Sequence, residues 1–270
     1  VQFADLEIKK NCLEELGQGW LMQVISHDAS NSLKMSPLVV GNGAVHQDER
    51  HATNGSHTGC EPSSIGNSHD SNSVDSETQD AHEGHIADDE IAVSEQGLDL
   101  IRNLIGGQDQ SLGSETVDMI DYLFSTLGQN QIFGMLSRKL STTQIQRDGT
   151  AKNTHVPLQA EIVAAVVWIL VHIAASVPRH RQQVVAQTEL LTKLVPQFSN
   201  PNREVRLSLC WLVNNLTWLN DTSDKIPCMQ RAQELERLGY LGMLENLQHD
   251  PDLDIRERAK TAVFQMRQNR

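Results

Sequence analysis

Residues 179–219 read RHRQQVVAQTELLTKLVPQFSNPNREVRLSLCWLVNNLTWL, and this stretch repeats the plan of the sequence on both sides of it. Upstream, Glu161-Ile-Val-Ala-Ala-Val-Val-Trp168-Ile-Leu matches Glu204-Val-Arg-Leu-Ser-Leu-Cys-Trp211-Leu-Val at an offset of 43. Downstream, Asn200-Pro201 recurs as Asp250-Pro251 and Glu204-Val205-Arg206 as Asp254-Ile255-Arg256, both at an offset of 50. A fainter copy sets Leu100-Ile101-Arg102-Asn103-Leu104 against Leu212-Val213-Asn214-Asn215-Leu216, at an offset of 112 that leaves room for one more unit and an insertion. Helical units with a period of about 40 to 47 residues cannot bury their apolar faces alone and stack on their neighbours. The expected fold is therefore an all-α solenoid of about four repeats.

Working outward, apolar residues at helical spacing divide the chain into triplets of short, short and long helices. Residues 1–28 hold the first two helices of a repeat, Asp5 to Leu16 and Trp20 to His27, separated by Gly17-Gln18-Gly19. A third helix, Glu95 to Ile105, is stopped by Gly106-Gly107. Repeats follow at about 114–176, 178–220 and 228–268. Their helices are expected at Thr116 to Leu127 behind a Ser114-Glu115 cap, Ile132 to Leu140, Leu158 to Ala175, Arg179 to Gln187, Thr188 to Phe198, Arg203 to Leu219, Met229 to Leu238, Tyr240 to Leu247 and Asp252 to Gln268. Glu161 to Ala175 is apolar nearly all round, as befits a helix covered on both sides, whereas the last helix carries Arg256, Glu257, Arg258, Lys260 and Arg267 and reads as a cap.

Composition separates one segment from the rest. Net charge is −13 over 270 residues, but residues 29–94 hold eleven Asp/Glu against Lys34 and Arg50 and lack any Phe, Trp or Tyr. Such a stretch cannot bury enough apolar surface to offset the entropy of ordering, so 29–94 is expected to be a disordered acidic Ser/Asn/His-rich insertion. A shorter polar insertion runs from Ser141 to His155, and both fall between the second and third helices of a triplet, on one edge of a stacked array. The acidity belongs to the insertion and says little of a nucleic-acid partner beyond offering no basic footprint, so none is expected, and the longest apolar run, Ile162 to Val171, is too short to cross a membrane. Cys12, Cys60, Cys210 and Cys228 fall at no metal-ligand spacing and read as reduced thiols of a cytosolic or nuclear protein. His82-x-x-His85, with His46, His51, His57 and His69, belongs to the insertion's composition rather than to a metal site. The chain opens on Val1, which suggests a larger chain with upstream repeats.

RQQVV…LLTKLVPQFSNPNREVRLSLCWLVNNL follows the armadillo consensus, and a long third helix with Trp211-x-x-x-Asn215 resembles those that line the concave groove of armadillo proteins, right-handed α-solenoids. More narrowly, WLVNNLTW followed by RAQELERLGYLGMLENLQHDPDLDIRERAKTAVFQM resembles the C-terminal end of the armadillo subunits of GID/CTLH E3 ubiquitin-ligase complexes. Two positions depart from the pattern. Pro196 stands inside a second helix, which it should kink or shorten, and Glu189 occupies the turn position that Gly239 holds one repeat later.

The candidate binding residues follow from the repeat register. Trp211 and Asn215 lie four apart on one helix face, with Trp218 a turn further on. Trp168 and His172 hold the same positions one repeat back, and Asn103 and Gln265 match Asn215 in the outer copies. Asn103, His172, Asn215 and Gln265 can all hydrogen-bond a peptide amide, and an extended segment leaving water needs its backbone groups satisfied again. The tryptophans could equally serve inter-repeat packing. The cluster Arg179-His180-Arg181 reads as a surface feature, and Asp118 and Asp121 as a solvated face.

No phosphate-cradling loop, nucleophile elbow or His-Glu helix pair is present, so the expected role is a non-catalytic protein-binding scaffold without cofactor or metal. What the GID/CTLH resemblance implies is a cytoplasmic and nuclear subunit that docks a substrate receptor beside a RanBPM-like scaffold for ubiquitin-proteasome degradation. The alternative is an importin-α-like nuclear-import adaptor for basic peptides, although only Trp211/Asn215 forms the complete pair. A β-catenin-like hub would need a long basic groove.

Overall fold

The computed structural model describes residues 5–17, 19, 21–22, 92–106, 113–141 and 159–269. Among them every regular element is helical: α1 (Leu6–Leu16), α2 (92–105), α3 (Gly113–Leu127), α4 (Gln129–Lys139), α5 (Ala160–Ala175), α6 (Pro178–Val185), α7 (Thr188–Leu194), α8 (Arg203–Leu216), α9 (Lys225–Arg237), α10 (Tyr240–Leu247) and α11 (Leu253–Gln268). Of the helix expected from Trp20 to His27, residues 21 and 22 are described and helical, and the rest lies outside the described residues. So do the Ser141–His155 insertion beyond Ser141 and the 29–94 insertion with its histidines and Cys60, except that residues 92–94 already open α2.

The stops and starts have local causes. Asp5 caps α1 by accepting from the Ile8 amide at 2.9 Å, Asn202 caps α8 from Glu204, and Asp252 caps α11 from Asp254 and Ile255. Pro178 opens α6, where the missing N–H costs nothing. Pro196 ends α7 at Leu194, and the chain continues as a 3-10 turn over Val195–Ser199. Gly239 opens α10 at φ 92, a conformation that a Cβ would strain, whereas Glu189, expected at the matching turn, lies inside α7, and the turn before that helix passes through Gln187 at φ −86. α3 begins at Gly113, so Ser114 stands in its first turn rather than capping it.

Like helices stack on like. First helices pack α1 on α3 and α6 on α9, second helices α4 on α7, and third helices α5 on α8 and α8 on α11. This is the armadillo arrangement, and its core runs unbroken through the stack. α5 sits inside it, with every residue from Ile162 to Ala174 except Trp168 and His172 buried.

Two recurring arginines hold the repeats in register. Arg206 Nη1 donates to the carbonyls of Asn200 (2.8 Å) and Pro201 (2.9 Å), and Arg256 Nη1 to those of Asp250 (2.7 Å) and Pro251 (3.0 Å). The recurrent Asn/Asp-Pro turn and the arginine after it are thus one device. Arg206 also reaches forward to Asp250 through Nε (2.7 Å) and Nη2 (3.2 Å), pinning one repeat to the next.

The second device corrects the reading of Arg179-His180-Arg181 as a surface feature. His180 and Arg181 are buried; only Arg179 is exposed, and it pairs with Asp121, which also lies 3.0 Å from His180 Nε2. Asp121, its side chain 44% exposed, therefore joins two first helices at the edge of a solvated face that Asp118 shares. Arg181 donates through Nε to Ala174 O (2.9 Å), through Nη2 to Ser176 O (2.9 Å) and through Nη1 to Trp218 O (3.3 Å). Fifty positions on, the fully buried Arg231 donates through Nε to Leu216 O (2.8 Å) and grips Asp224 with two bonds of 2.9 Å. Arg181 and Arg231 each satisfy carbonyls orphaned at the end of the preceding third helix and face its negative dipole end. Burial pushes the Asp224 carboxyl up, but the bonds and charge of Arg231 outweigh it and leave the group below the usual carboxylate range.

Candidate protein-binding groove

The third helices α2, α5, α8 and α11 carry the predicted site residues on successive steps, Asn103, then Trp168 and His172, then Trp211 and Asn215, then Gln265, with Trp218 left out. Trp168 is half-buried on α5, and its indole Nε1 donates to Glu204 of α8 at 2.8 Å. The Arg102 guanidinium of α2 lies 5.2 Å from the centre of its ring. One step on, Trp211 is half-buried on α8 with the Arg258 guanidinium of α11 at 4.0 Å. Each indole is therefore roofed by a cation from a neighbouring third helix, attracted by the negative face of the ring.

The amide ladder is partly engaged within the protein. Asn215 Nδ2 donates to Val171 O of α5 at 3.1 Å, bridging two repeats and leaving its Oδ1 available. Gln265 Oε1 accepts from Thr217 Oγ1 at 3.2 Å. Asn103 is half-buried on α2 and makes no side-chain hydrogen bond among the described residues. His172 lies one turn beyond Trp168, ring centres 6.3 Å apart, and burial, helped by the charges of Arg102 and Lys9, lowers its pKa to about 4. It is neutral at pH 7.

Trp218 departs from the expected geometry. α8 ends at Leu216, because Thr217 turns its hydroxyl back to Val213 O (2.8 Å) and the Leu216 carbonyl is taken by Arg231. The Trp218 side chain lies beyond the helix, 56% exposed, and does not continue the Trp211–Asn215 face as a further helical turn.

Sequence reasoning missed four contributors: Arg102, Arg258, Glu204 and Asn214. Arg102 stands 3.9 Å from Asp99 and Arg258 3.7 Å from Asp254, too far to hydrogen-bond, and Arg258 Nε is buried without a hydrogen-bond partner. Asn214, buried between α8 and α11, donates to Arg258 O at 3.4 Å. Arg102 occupies the register position of Asn214, which is the one sequence signal that it faces a neighbouring third helix. Together these residues offer aromatic edges, amide groups and guanidinium donors to an extended chain.

No family model matches the chain. The chain is similar to GID complex subunit 5 of Schizosaccharomyces pombe, 25% identical over 225 residues, covering 66% of this chain and 26% of that protein. It thus spans about a quarter of the length of the curated relative it matches. Among solved structures it is similar to a designed armadillo repeat protein (TM-score 0.46, 19% identity, 64% of this chain and 58% of that one). A computationally designed armadillo repeat protein for modular peptide recognition is similar at TM-score 0.35 and 17% identity, over 64% of this chain and 76% of that one. The chain resembles GID complex subunit 5, and its own helix packing is that of an all-α armadillo-type solenoid.

Proposed function

We propose that this chain is part of a non-catalytic scaffold subunit of a GID/CTLH-type E3 ubiquitin-ligase complex, and that its third-helix groove docks an extended segment of the substrate receptor. The likeness to GID complex subunit 5 supports the choice of complex. The observation that carries the groove is the alignment of half-buried Trp168 and Trp211 on adjacent steps beside the amide of Asn215. An extended segment laid across these steps can bury apolar side chains on the indole edges and return its backbone hydrogen bonds to Asn215 Oδ1 and Asn103. Ubiquitin transfer is then the work of RING partners in cytoplasm and nucleus, and this chain supplies position.

Affinity purification of the tagged chain from its own cells, followed by mass spectrometry, tests the reading. RING and RanBPM-like subunits are expected to co-purify together with a receptor. Recovery of importin-β-like carriers without ligase subunits would instead make it a transport adaptor.

A further inference from the structure

Resting on the reading of this surface as a docking groove, the two roofed tryptophans say which chemistry the docked segment carries. A basic peptide binds a tryptophan-lined surface by laying cationic side chains over the rings. Here that seat is already occupied on both steps, by Arg102 on Trp168 and Arg258 on Trp211. A second cation there would meet like charge.

The same stacking prepares the arginines for the opposite ligand. A guanidinium lying against an indole is restrained, yet its rim still presents N–H donors in the fork that matches a carboxylate. Among the described residues neither guanidinium makes a hydrogen bond; the nearest carboxylates, Asp99 and Asp254, stand at 3.9 and 3.7 Å. Of the acids beside the two rings, Glu204 is engaged with the Trp168 indole, and Asp254 is shared with Arg203 at 3.5 Å. The depressed pKa of His172, driven by burial and then by Arg102 and Lys9, agrees with a positive potential at the α2–α5 end.

We propose that Arg102 and Arg258 are carboxylate receptors at the two ends of the groove, so that the docked partner segment is acidic. Arg102 lies 5.2 Å from the Trp168 ring and Arg258 4.0 Å from the Trp211 ring, and α5 and α8 are adjacent packed helices about 8–10 Å apart. An extended chain rising about 3.3 Å per residue bridges two guanidiniums so placed in about three to six residues, which sets the spacing between the two Asp or Glu side chains.

Selection of phage-displayed random nonapeptides on the immobilised chain, with affinities of the enriched peptides then measured by fluorescence polarisation, tests this. The expected winners carry two Asp or Glu about three to six residues apart. Replacing either acid by its amide in the peptide, or introducing Arg102→Gln or Arg258→Gln in the protein, weakens binding about tenfold. The peptide substitutions cannot unfold the protein, so they report even where a protein variant is damaged. Peptides that lose affinity to Asn215→Ala but are basic, or are indifferent to their acids, would overturn the acidic assignment and leave the docking groove standing. Enrichment of no peptide sensitive to Asn215→Ala, Arg102→Gln or Arg258→Gln would remove the groove itself and the acidic assignment with it.

Discussion

Two pairs of arginines sit in two regions of this solenoid, and their surroundings differ in one respect that decides what each pair does. In the seam between repeats, Arg181 and Arg231 are buried and their donors meet helix-end carbonyls and the Asp224 carboxylate. In the groove, Arg102 and Arg258 are half-exposed, stacked on indoles and without hydrogen bonds among the described residues. A guanidinium with its donors met internally binds the fold together; one held in place with its donors uncommitted is available to a partner. The side chain is the same, and the acceptors around it make the difference.

The strongest way to break this contrast is Arg231→Met. It leaves the Asp224 charge buried without its main partner, which costs about 3–5 kcal/mol, and urea unfolding should show that loss. A change below about 1 kcal/mol would mean the seam is not where the repeats are held. The next effect concerns protons. His172 has a folded pKa of about 4 against an ordinary value near 6.5, so between these limits the unfolded chain binds more protons and stability falls as pH drops from about 7 towards 4, by at most about 3 kcal/mol. His172→Gln should flatten this part of the curve, and an unchanged slope would place the proton uptake elsewhere.

Asn215→Ala comes third. It removes the bridge to Val171 O at a cost of about 1 kcal/mol, and it should also weaken a groove-bound segment. Loss of stability with binding intact would make Asn215 a purely inter-repeat residue. The smallest effect sharpens the comparison most: Arg258→Gln forfeits a half-exposed cation–π contact of about 0.5–1 kcal/mol, so its unfolding midpoint should barely move while acidic-peptide affinity drops. Were Arg258→Gln as damaging to the fold as Arg231→Met, the two regions would not differ as described.

The helices and their grouping into triplets were legible because a buried stripe imposes a 3.6-residue rhythm, and because Pro196, Gly239 and the Asn/Asp-Pro turns act locally. Trp168, Trp211 and Asn215 were legible as one surface because the repeat offset aligns them. The end of α8 was not: Trp218 keeps the apolar rhythm, and what stops the helix is Arg231, supplied by the next repeat. Nor was the burial of His180 and Arg181 readable beside an obviously polar Arg179, since it depends on α3, α5 and the chain after α8 closing around them. The Arg102–Trp168 and Arg258–Trp211 stacks join residues far apart in sequence, and composition carries no trace of such pairings.

The seam also explains where this chain can change length. Arg181 reaches the carbonyls at the end of α5 across a turn of only Ser176 and Val177, whereas Arg231 takes the Leu216 carbonyl across the longer connection 217–224, in which Asp224 supplies its second partner. The turns between second and third helices are clasped where Arg206 and Arg256 hold the Asn200-Pro201 and Asp250-Pro251 carbonyls, and the sequence between α4 and α5, where 141–155 is inserted, has no Asn/Asp-Pro pair of this kind. For a designer this marks the tolerant joint: a reporter domain or epitope spliced between α4 and α5 leaves the guanidinium clasps untouched, whereas one spliced into Asn200-Pro201 would part Arg206 from its carbonyls.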